Sequence, residues 1–207
     1  MTPIKTVSIL GAGQMGSGIA QAVALGGYEV RLFDVAAERS AGAQGVIGAS
    51  LARRVGRGLV EQSAADAALG RISTVATLAE AAKSDLVIEA ISEQEAAKKA
   101  VLAELTPLLG PDTLLASNTS SISITRLASV TDRPERFIGL HFMKPAPVMK
   151  LVEIVRGIAT SAETYEIAVG FAESLGKTTT EAEDFPAFIV NRILVPMMNE
   201  AIYTLYE

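Results

Sequence analysis

The sequence contains no cysteine and a single histidine, His141. The absence of cysteine excludes disulfide bonds, thiolate nucleophiles and cysteine-based metal sites, and it leaves the redox compartment undetermined. A single histidine excludes a histidine-rich metal site as well, so we expect no metal. The one histidine therefore stands out, and its setting in GLHFMKPAP (139–147) needs an explanation.

Long apolar runs and a positive net charge are also missing. No uninterrupted apolar run approaches the ~18–20 residues of a membrane span, so we expect no membrane contact. The formal net charge of −5 argues against nucleic-acid binding, although a local basic cluster leaves room for an anionic ligand. The first residues, MTPIKTVSILGAG, lead straight into a strand and a glycine turn rather than a signal peptide, and we expect a cytoplasmic protein.

Short apolar segments alternate with helical patterns from the start of the chain to about residue 160. The near-continuous apolar character of five segments predicts strands buried on both faces of a parallel sheet, at 6–10, 29–33, 85–90, 113–117 and 137–142. Helical patterns lie between them, at 14–26, 94–109 and 123–129. This alternation indicates an α/β fold with a doubly wound, mostly parallel sheet.

The remaining segments predict an arm and the start of a second domain. Residues 36–70, rich in alanine and arginine and without strand signals, predict two helices that project from the sheet as an arm. A strand at 150–157, an amphipathic helix at 161–176 and an exposed strand at 177–184 follow. Residues 186–207 predict a helix that opens at Pro186 and is apolar on nearly all sides. We therefore predict one domain over 1–185 and a second, helical domain that begins with 186–207.

A glycine turn joins the first strand to the first helix. In SILGAGQMGSGIAQ, Gly11 permits the tight turn, Gly13 lets the backbone approach a pyrophosphate, and Gly16 allows the helix to pack closely on the strand. Asp34 ends the second strand, where a carboxylate can bind both hydroxyls of an adenosine ribose and repels a 2′-phosphate. We predict a Rossmann-like site for NAD rather than NADP; a glycine turn without a ligand is the alternative. Its residues are Gly11, Ala12, Gly13, Gln14, Met15, Gly16 and Asp34.

Further motifs occur in a fixed order: VIEAISE (87–93), LASNTSSISIT (115–125), GLHFMKPAPVMKLVEIV (139–155) and FIVNR (188–192). With the glycine turn, they resemble the L-3-hydroxyacyl-CoA dehydrogenase family, of the bacterial 3-hydroxybutyryl-CoA type, over essentially the whole chain. The resemblance implies NAD-dependent oxidation of the 3-hydroxyl of a short-chain L-3-hydroxyacyl-CoA, or the reverse reduction, in fatty acid and butanoate metabolism. It also implies a homodimer whose contacts lie mostly in a helical domain that this chain contains only in truncated form.

The resemblance assigns catalytic roles to four residues. His141 matches the general base, a role that suits histidine because its ordinary pKa lies near working pH. Glu153 matches the acid that accepts the other ring N–H and fixes the tautomer. Ser120 and Asn191 match residues that donate hydrogen bonds to substrate oxygens. The residues alone leave alternatives open: a structural histidine, a helix N-cap for Ser120 and a satisfied polar group between domains for Asn191.

The same resemblance places cofactor and substrate contacts at further positions. Contacts to the nicotinamide half of NAD match Glu93, Lys98, Ser120 and Lys144. Contacts to the phosphates of acyl-CoA match, by region only, Arg53, Arg54 and Arg57. The alternative for Glu93 and Lys98 is a helix N-terminal acid with a solvated lysine, and the alternative for the arginines is a solvated helix face.

The chain departs from the family's pattern at two places besides its length. Lys144 stands where the family usually has asparagine, which puts a cation beside a nicotinamide that is itself positive when oxidised. FPAF (185–188) stands in place of TPGF or SPGF. Two other functions stay open: a related hydroxyacid dehydrogenase with a non-CoA substrate, and a fragment that binds NAD and acyl-CoA but turns over poorly because of truncation and Lys144.

Overall fold

The computed structural model describes residues 4–207, and these residues form one sheet of eight strands with helices packed against it. The strands are β1 (Thr6–Leu10), β2 (Glu29–Phe33), β3 (Ile72–Thr74), β4 (Leu86–Glu89), β5 (Leu114–Ser117), β6 (Phe137–Phe142), β7 (Leu151–Arg156) and β8 (Thr178–Glu183). The helices are α1 (Gln14–Leu25), α2 (Ala37–Gly56), α3 (Gln62–Gly70), α4 (Leu78–Ala81), α5 (Glu95–Leu105), α6 (Ile124–Ala128), α7 (Ala162–Ser174) and α8 (Val190–Tyr206).

The strand order explains where a ligand can bind. The order is β3-β2-β1-β4-β5-β6-β7-β8, and the first six strands in the chain pair in parallel. The chain therefore winds outward from β1 in both directions, and a crevice opens at the carboxyl ends of β1 and β4, where the winding reverses. The predicted doubly wound, Rossmann-like sheet is confirmed. The antiparallel partner of β6 is β7, and β8 lies parallel to β7.

Most strands could be predicted from the sequence, because strands buried on both faces consist of continuous apolar segments. β4, β5 and β6 are buried at every position, which matches the continuous apolar segments that predicted them. The sequence analysis missed β3 and α4. β3 is a three-residue edge strand with two exposed residues, so it carries no apolar run. α4 has only four residues, but its capping box of Thr77 and Glu80 was a usable signal.

The two helices predicted within 36–70 are present as α2 and α3, and they pack on α1 rather than standing clear of the sheet. Ala43, Ile47 and Leu51 of α2 are buried in the same core as Ala65 and Ala68 of α3. The spacing of the α2 residues is that of one helical face, which turns toward the core and leaves Arg53 exposed on the outer side.

The final helix begins later than predicted. Pro186 does not open it, because Ala187 and Phe188 adopt left-handed backbone conformations with φ of 68° and 52°. α8 therefore starts at Val190, and none of its residues is buried. Of the helices in residues 4–207, none combines the length and apolar character that crossing a bilayer demands.

Candidate active site

A cleft of about 950 Å³ opens at the carboxyl ends of β1, β2 and β4. The glycine turn forms one side of it, Asp34 and Val35 close the end at β2, and Ile91 and Val101 form the wall toward α5. The N-terminus of α1 faces this cleft with no side-chain cap at Gly13, so its free N–H groups are available to an anion.

The glycines are required by close approach of backbone to backbone. Gly11 has φ of +103°, and a Cβ there would lie 2.6 Å from the carbonyl oxygen of Ala90. A Cβ on Gly16 would overlap the carbonyl oxygen of Gly11, whereas a Cβ on Gly13 would meet nothing within 4 Å. Gly13 therefore presents open backbone to the cleft, which fits the pyrophosphate of a dinucleotide.

Asp34 holds the turn and lines the cleft at the end of β2. Its Oδ2 accepts a hydrogen bond from the backbone N–H of Ala12 at 2.9 Å, and its Oδ1 accepts one from that of Ala36 at 3.0 Å. The side chain is 7% exposed. These contacts fix a carboxylate at the rim of the cleft, where it can accept hydrogen bonds from the hydroxyls of a ribose.

His141 and Glu153 form a buried pair on neighbouring strands. The antiparallel register of β6 and β7 places the two residues directly opposite each other, so both side chains emerge on the same face of the sheet. His141 Nδ1 lies 2.6 Å from Glu153 Oε2. The second carboxylate oxygen of Glu153 accepts hydrogen bonds from the backbone N–H groups of Ile189, at 2.9 Å, and Val190, at 2.8 Å.

These contacts keep Glu153 ionised. Burial alone raises the pKa of the carboxyl, but the hydrogen bond to His141 and the two backbone N–H groups outweigh burial and hold the pKa below its ordinary value of 4.5. Because the folded-state pKa is lowered, the stabilisation is present at neutral pH and is lost as the pH falls through that lowered pKa. An ionised carboxylate can only accept, so Nδ1 carries the proton and Nε2 is left as the basic ring nitrogen.

Phe188, in the segment between β8 and α8, covers the His141–Glu153 pair. Its ring lies 5.8 Å from the His141 ring in an edge-on arrangement, and it is buried in the core cluster beneath α6. The left-handed backbone at Phe188 turns this ring inward and brings the start of α8 onto Glu153. The dyad and the beginning of α8 are therefore one packed unit.

A second polar group joins the loops that follow β4 and β5. Glu93 Oε1 accepts hydrogen bonds from the hydroxyl of Thr119, at 2.6 Å, and from the N–H of Ser120, at 2.7 Å. Lys98 lies 3.2 Å from the other oxygen of Glu93. Burial raises the pKa of Glu93, but the contacts with Thr119, Ser120 and Lys98 together hold it below its ordinary value. Asn191 Nδ2 approaches the carbonyl oxygen of Ser120 at 3.4 Å.

The structure thus collects the predicted residues in two adjoining groups. One contains His141 and Glu153, and the other contains Glu93, Ser120 and Asn191. The start of α8 links them, because the N–H of Val190 contacts Glu153 while its neighbour Asn191 reaches Ser120. Both groups lie at the carboxyl ends of β4, β5 and β6, next to the dinucleotide cleft.

Comparison with known proteins identifies the family. Residues 6–185 match the model of the 3-hydroxyacyl-CoA dehydrogenase NAD-binding domain. The chain belongs to the 3-hydroxyacyl-CoA dehydrogenase family. It is therefore an NAD-dependent dehydrogenase by family, and the matched residues include the glycine turn that lines the cleft.

Relatives resemble the chain over nearly all of its length. A 3-hydroxybutyryl-CoA dehydrogenase from Bradyrhizobium diazoefficiens is 54% identical over 204 residues, which is 99% of this chain and 70% of that protein. The human mitochondrial hydroxyacyl-coenzyme A dehydrogenase is 42% identical, over 99% of this chain and 67% of that protein. Crystal structures of the Ralstonia eutropha (S)-3-hydroxybutyryl-CoA dehydrogenase PaaH1 and of Mycobacterium tuberculosis FadB2 are both 41% identical, with TM-scores of 0.93 and 0.95. They cover 96% and 99% of this chain, and the chain covers 70% and 72% of theirs.

Two residues that the sequence analysis did not single out also shape the site of this family member. Asn118 Oδ1 accepts the N–H of Phe142 at 2.9 Å, which fastens the end of β5 to the residue after His141. Glu89 ends β4 and is fully buried. Asn118 lies within the quoted SNTSS motif and Glu89 within VIEAISE, so their position at strand ends was the available signal.

The arm reaches the loop that follows His141 through one of its three arginines. Arg54 Nη1 donates to the carbonyl oxygen of Pro147 at 3.0 Å. Lys177 Nζ donates to the carbonyl oxygens of Ala146, at 2.6 Å, and Met149, at 2.8 Å. Arg53 and Arg57 are exposed, as is Lys144 in the same loop. Arg54 is thus already engaged with protein, whereas the other two arginines are presented to solvent.

The carboxylate of Asp34 generates a prediction about cofactor choice. A 2′-phosphate at the ribose would meet this nearly buried carboxylate, and unscreened like charges at such short range cost several kcal/mol. We expect NADH to bind at least about tenfold more tightly than NADPH, since about 1.4 kcal/mol corresponds to a factor of ten. Fluorescence titration with both nucleotides measures this. Asp34→Ser should bring the affinities for NADH and NADPH closer together. Equal affinities for the two nucleotides in the unchanged protein would refute the role of Asp34 in excluding the 2′-phosphate.

Proposed function

We propose that this chain oxidises the 3-hydroxyl of a short-chain L-3-hydroxyacyl-CoA to the 3-oxo compound with NAD, or catalyses the reverse reduction. The observation that carries the proposal is the buried His141–Glu153 pair at the edge of the NAD cleft, with Nδ1 protonated and Nε2 basic. The names of relatives that share about half of the residues, such as the Bradyrhizobium 3-hydroxybutyryl-CoA dehydrogenase, support this substrate class.

His141 acts as the general base in oxidation. Its Nε2 takes the proton of the 3-hydroxyl, and the resulting imidazolium is stabilised by the Glu153 carboxylate at Nδ1. The glycine turn and Asp34 would hold NAD in the cleft, and the cofactor would supply the hydride acceptor for the same carbon. In the reverse direction the imidazolium returns the proton to the 3-oxygen. Glu153 stays ionised throughout because its second oxygen is held by the N–H groups of Ile189 and Val190.

Ser120 and Asn191 bind the oxygen atoms of the substrate. In reduction, negative charge develops on the 3-oxygen, and hydrogen-bond donors at that position stabilise it. Glu93 holds the backbone N–H of Ser120 at 2.7 Å, and the Ser120 hydroxyl, which donates to Glu93 at 3.1 Å, would turn from the carboxylate to the substrate oxygen. One N–H of the Asn191 amide donates to the Ser120 carbonyl oxygen, which leaves the other for the substrate. The ring of Phe188 packs edge-on against His141 and covers one side of the pair.

Replacing His141 by alanine tests the proposed base. We expect turnover of acetoacetyl-CoA with NADH to fall about 10²–10⁴-fold, because general acid–base catalysis contributes that much. The affinity for NADH should stay nearly unchanged, since no contact of His141 reaches the glycine turn. Glu153→Gln should lower turnover less. Stopped-flow NADH oxidation and NADH titration measure both quantities, and near-full activity of His141→Ala would overturn the mechanism.

Two alternative functions have their own tests. A hydroxyacid dehydrogenase without a CoA substrate would oxidise free 3-hydroxybutyrate at least as well as its CoA ester. A binding protein with impaired turnover would bind NADH and acetoacetyl-CoA but react slowly, and Lys144→Asn would then restore the rate. Lys144 is exposed three residues after His141, so this substitution removes the cation without disturbing the core.

We also propose that the arm binds the phosphates of CoA. The two exposed arginines are Arg53, in the last turn of α2, and Arg57, directly after the helix, whereas Arg54 is engaged with Pro147. Replacing Arg53 and Arg57 by alanine should raise KM for acetoacetyl-CoA more than it lowers kcat, because uniform binding is lost. The difference in KM between the variant and the unchanged protein should shrink in 0.5 M salt, where the charges are screened. An unchanged KM would favour the alternative of a solvated helix face.

We further propose a homodimer, formed in the cytoplasm, in which α8 packs against a second copy. Ten large apolar side chains of residues 189–206 are at least 38% exposed, and burying one such side chain is worth about 1.5–3 kcal/mol. The same helix is interpreted as the start of a helical domain after residue 185. Light scattering on residues 1–207 and on residues 1–184 tests association. A monomeric 1–207 protein, or equal association of the shorter one, would refute it.

A further inference from the structure

The loop between β6 and β7, residues 143–150, connects the two strands that carry the proposed catalytic pair. It begins two residues after His141 and ends three residues before Glu153. Lys144, at the position that the resemblance puts beside the nicotinamide, belongs to this β6–β7 loop. A displacement of the loop would move groups next to the reacting atoms, so the contacts that hold the loop bear on the proposed reaction.

One side of the β6–β7 loop lies on the backbone of α1. A Cβ on Gly18 would lie 3.2 Å from Cδ of Pro147 and 3.4 Å from Cβ of Ala146, so a larger residue at this position of α1 would push against the loop. Ala146 is buried, whereas Val148 and Met149 are exposed. The loop is therefore packed on one side, against the helix that lines the dinucleotide cleft, and is open on the other.

Two cations bind the backbone of the β6–β7 loop. Lys177, which directly precedes β8, donates through Nζ to the carbonyl oxygens of Ala146, at 2.6 Å, and Met149, at 2.8 Å. Arg54, in the last turn of α2, donates through Nη1 to the carbonyl oxygen of Pro147 at 3.0 Å. Carbonyl oxygens at three positions of the loop thus accept charge-assisted hydrogen bonds, which are stronger than those between neutral groups.

The two cations lie close enough to repel each other. Burial lowers the pKa of the Lys177 ammonium, and the nearby charge of Arg54 lowers it further. The partial negative charges of the carbonyl oxygens that the two side chains bind offset this repulsion. Arg54 is the member of the pair that comes from the arm, so its contact with Pro147 joins the arm to the loop that follows His141.

We propose that Arg54 is a positioning residue, which holds the β6–β7 loop in place for the reaction at His141, rather than a ligand of the CoA phosphates. The proposal rests on the function proposed above, in which Arg53 and Arg57 bind those phosphates. Lys177 holds the same loop from the side of β8. The arginines of the arm thus divide into two that face solvent and one that is bound to protein.

Substrates with and without phosphates separate positioning from phosphate binding. Acetoacetyl-CoA contains the phosphates, whereas acetoacetyl-pantetheine lacks them and keeps the reacting 3-oxo group. A displaced loop disturbs the reacting end of either substrate. We therefore expect Arg54→Met to lower kcat/KM about tenfold for both, mainly through kcat, since a small misplacement can cost up to about 10²-fold. A loss confined to acetoacetyl-CoA would show that Arg54 binds phosphate and would overturn the proposal.

Arg53→Met provides the contrast within the arm. It should raise KM for acetoacetyl-CoA and have a much smaller effect on acetoacetyl-pantetheine, and its effect should shrink at high salt. The effect of Arg54→Met should persist at high salt, because it does not depend on the phosphates. An unchanged KM in Arg53→Met would count against phosphate binding by the arm, while equal losses for both substrates in Arg54→Met would still support positioning.

Arg71→Met is the matched control for general loosening of the arm. Arg71 also donates to a backbone carbonyl oxygen, that of Ala24 at 3.3 Å, and so ties the end of α3 to α1 without touching the β6–β7 loop. We expect its kinetics to match the unchanged protein. An equal loss in Arg71→Met would overturn the specific role of Arg54. If Arg54→Met does not fold, Lys177→Met replaces it, with the same equal loss for the two substrates expected and a loss confined to acetoacetyl-CoA again contradicting the proposal.

One measurement is independent of turnover. The N–H groups of Val148 and Met149 both donate to the carbonyl oxygen of Pro145 within the loop. Their exchange with solvent, followed by NMR, should accelerate in Arg54→Met and stay unchanged in Arg71→Met. Unchanged exchange in Arg54→Met would overturn the inference. A protein that does not reduce acetoacetyl-CoA but shows this faster exchange would instead refute the proposed function and keep the role of Arg54 in holding the loop.

Discussion

The site depends on one cross-strand pair. His141 and Glu153 are far enough apart in sequence to need the antiparallel return of β7 beside β6, and the register places them opposite each other. A one-residue slip would send one side chain to the other face of the sheet and abolish the contact. The same carboxylate receives two N–H groups at the start of α8, so the pair also fixes the entry of the last helix.

The parallel part of the sheet brings the other polar groups of the site to one edge. Parallel strands deliver their carboxyl ends to one edge, and each end here contributes a polar group: Asp34 after β2, Glu89 in β4, Ser117 in β5 and His141 in β6. Since the winding reverses between β1 and β4, the edge opens into a cleft that the glycine turn can line. The cleft and the His141–Glu153 pair become neighbours because strand order, not sequence distance, decides proximity.

The backbone between β8 and α8 adopts a locally unfavourable conformation that the tertiary contacts require. Ala187 and Phe188 are left-handed although neither is glycine, and such conformations persist only where surrounding contacts determine them. The contacts are visible: Phe188 is buried against His141, and the next two N–H groups bind Glu153. Proline at 186 looked like a helix start in the sequence, but these contacts delay the helix to Val190.

Much of the fold could be predicted from the sequence alone, from hydrophobic periodicity and from the polar residues at the ends of strands. Strands buried on both faces are readable as apolar runs, so β1, β2 and β6 have their predicted bounds. The short edge strand β3 lacked such a run and was missed. The glycine turn and Asp34 were accessible because the spacing of that motif is local, and the family resemblance supplied the roles of His141, Glu153, Ser120 and Asn191.

Only the tertiary structure decided how the side chains are used. The resemblance names Lys98 and Arg54 as ligand contacts, and the fold adds protein partners that no motif indicated: two carboxylates for Lys98 and a backbone carbonyl for Arg54. At Glu89 and Asn118 the sequence offered only their strand-end positions, because their partners come from other elements of the fold. The sequence determined which elements form and which residues end them, since burial and turn chemistry act over a few neighbours. Which polar atoms pair was decided by packing, because hydrogen bonds and charges act only where the folded chain brings distant segments within about 3 Å.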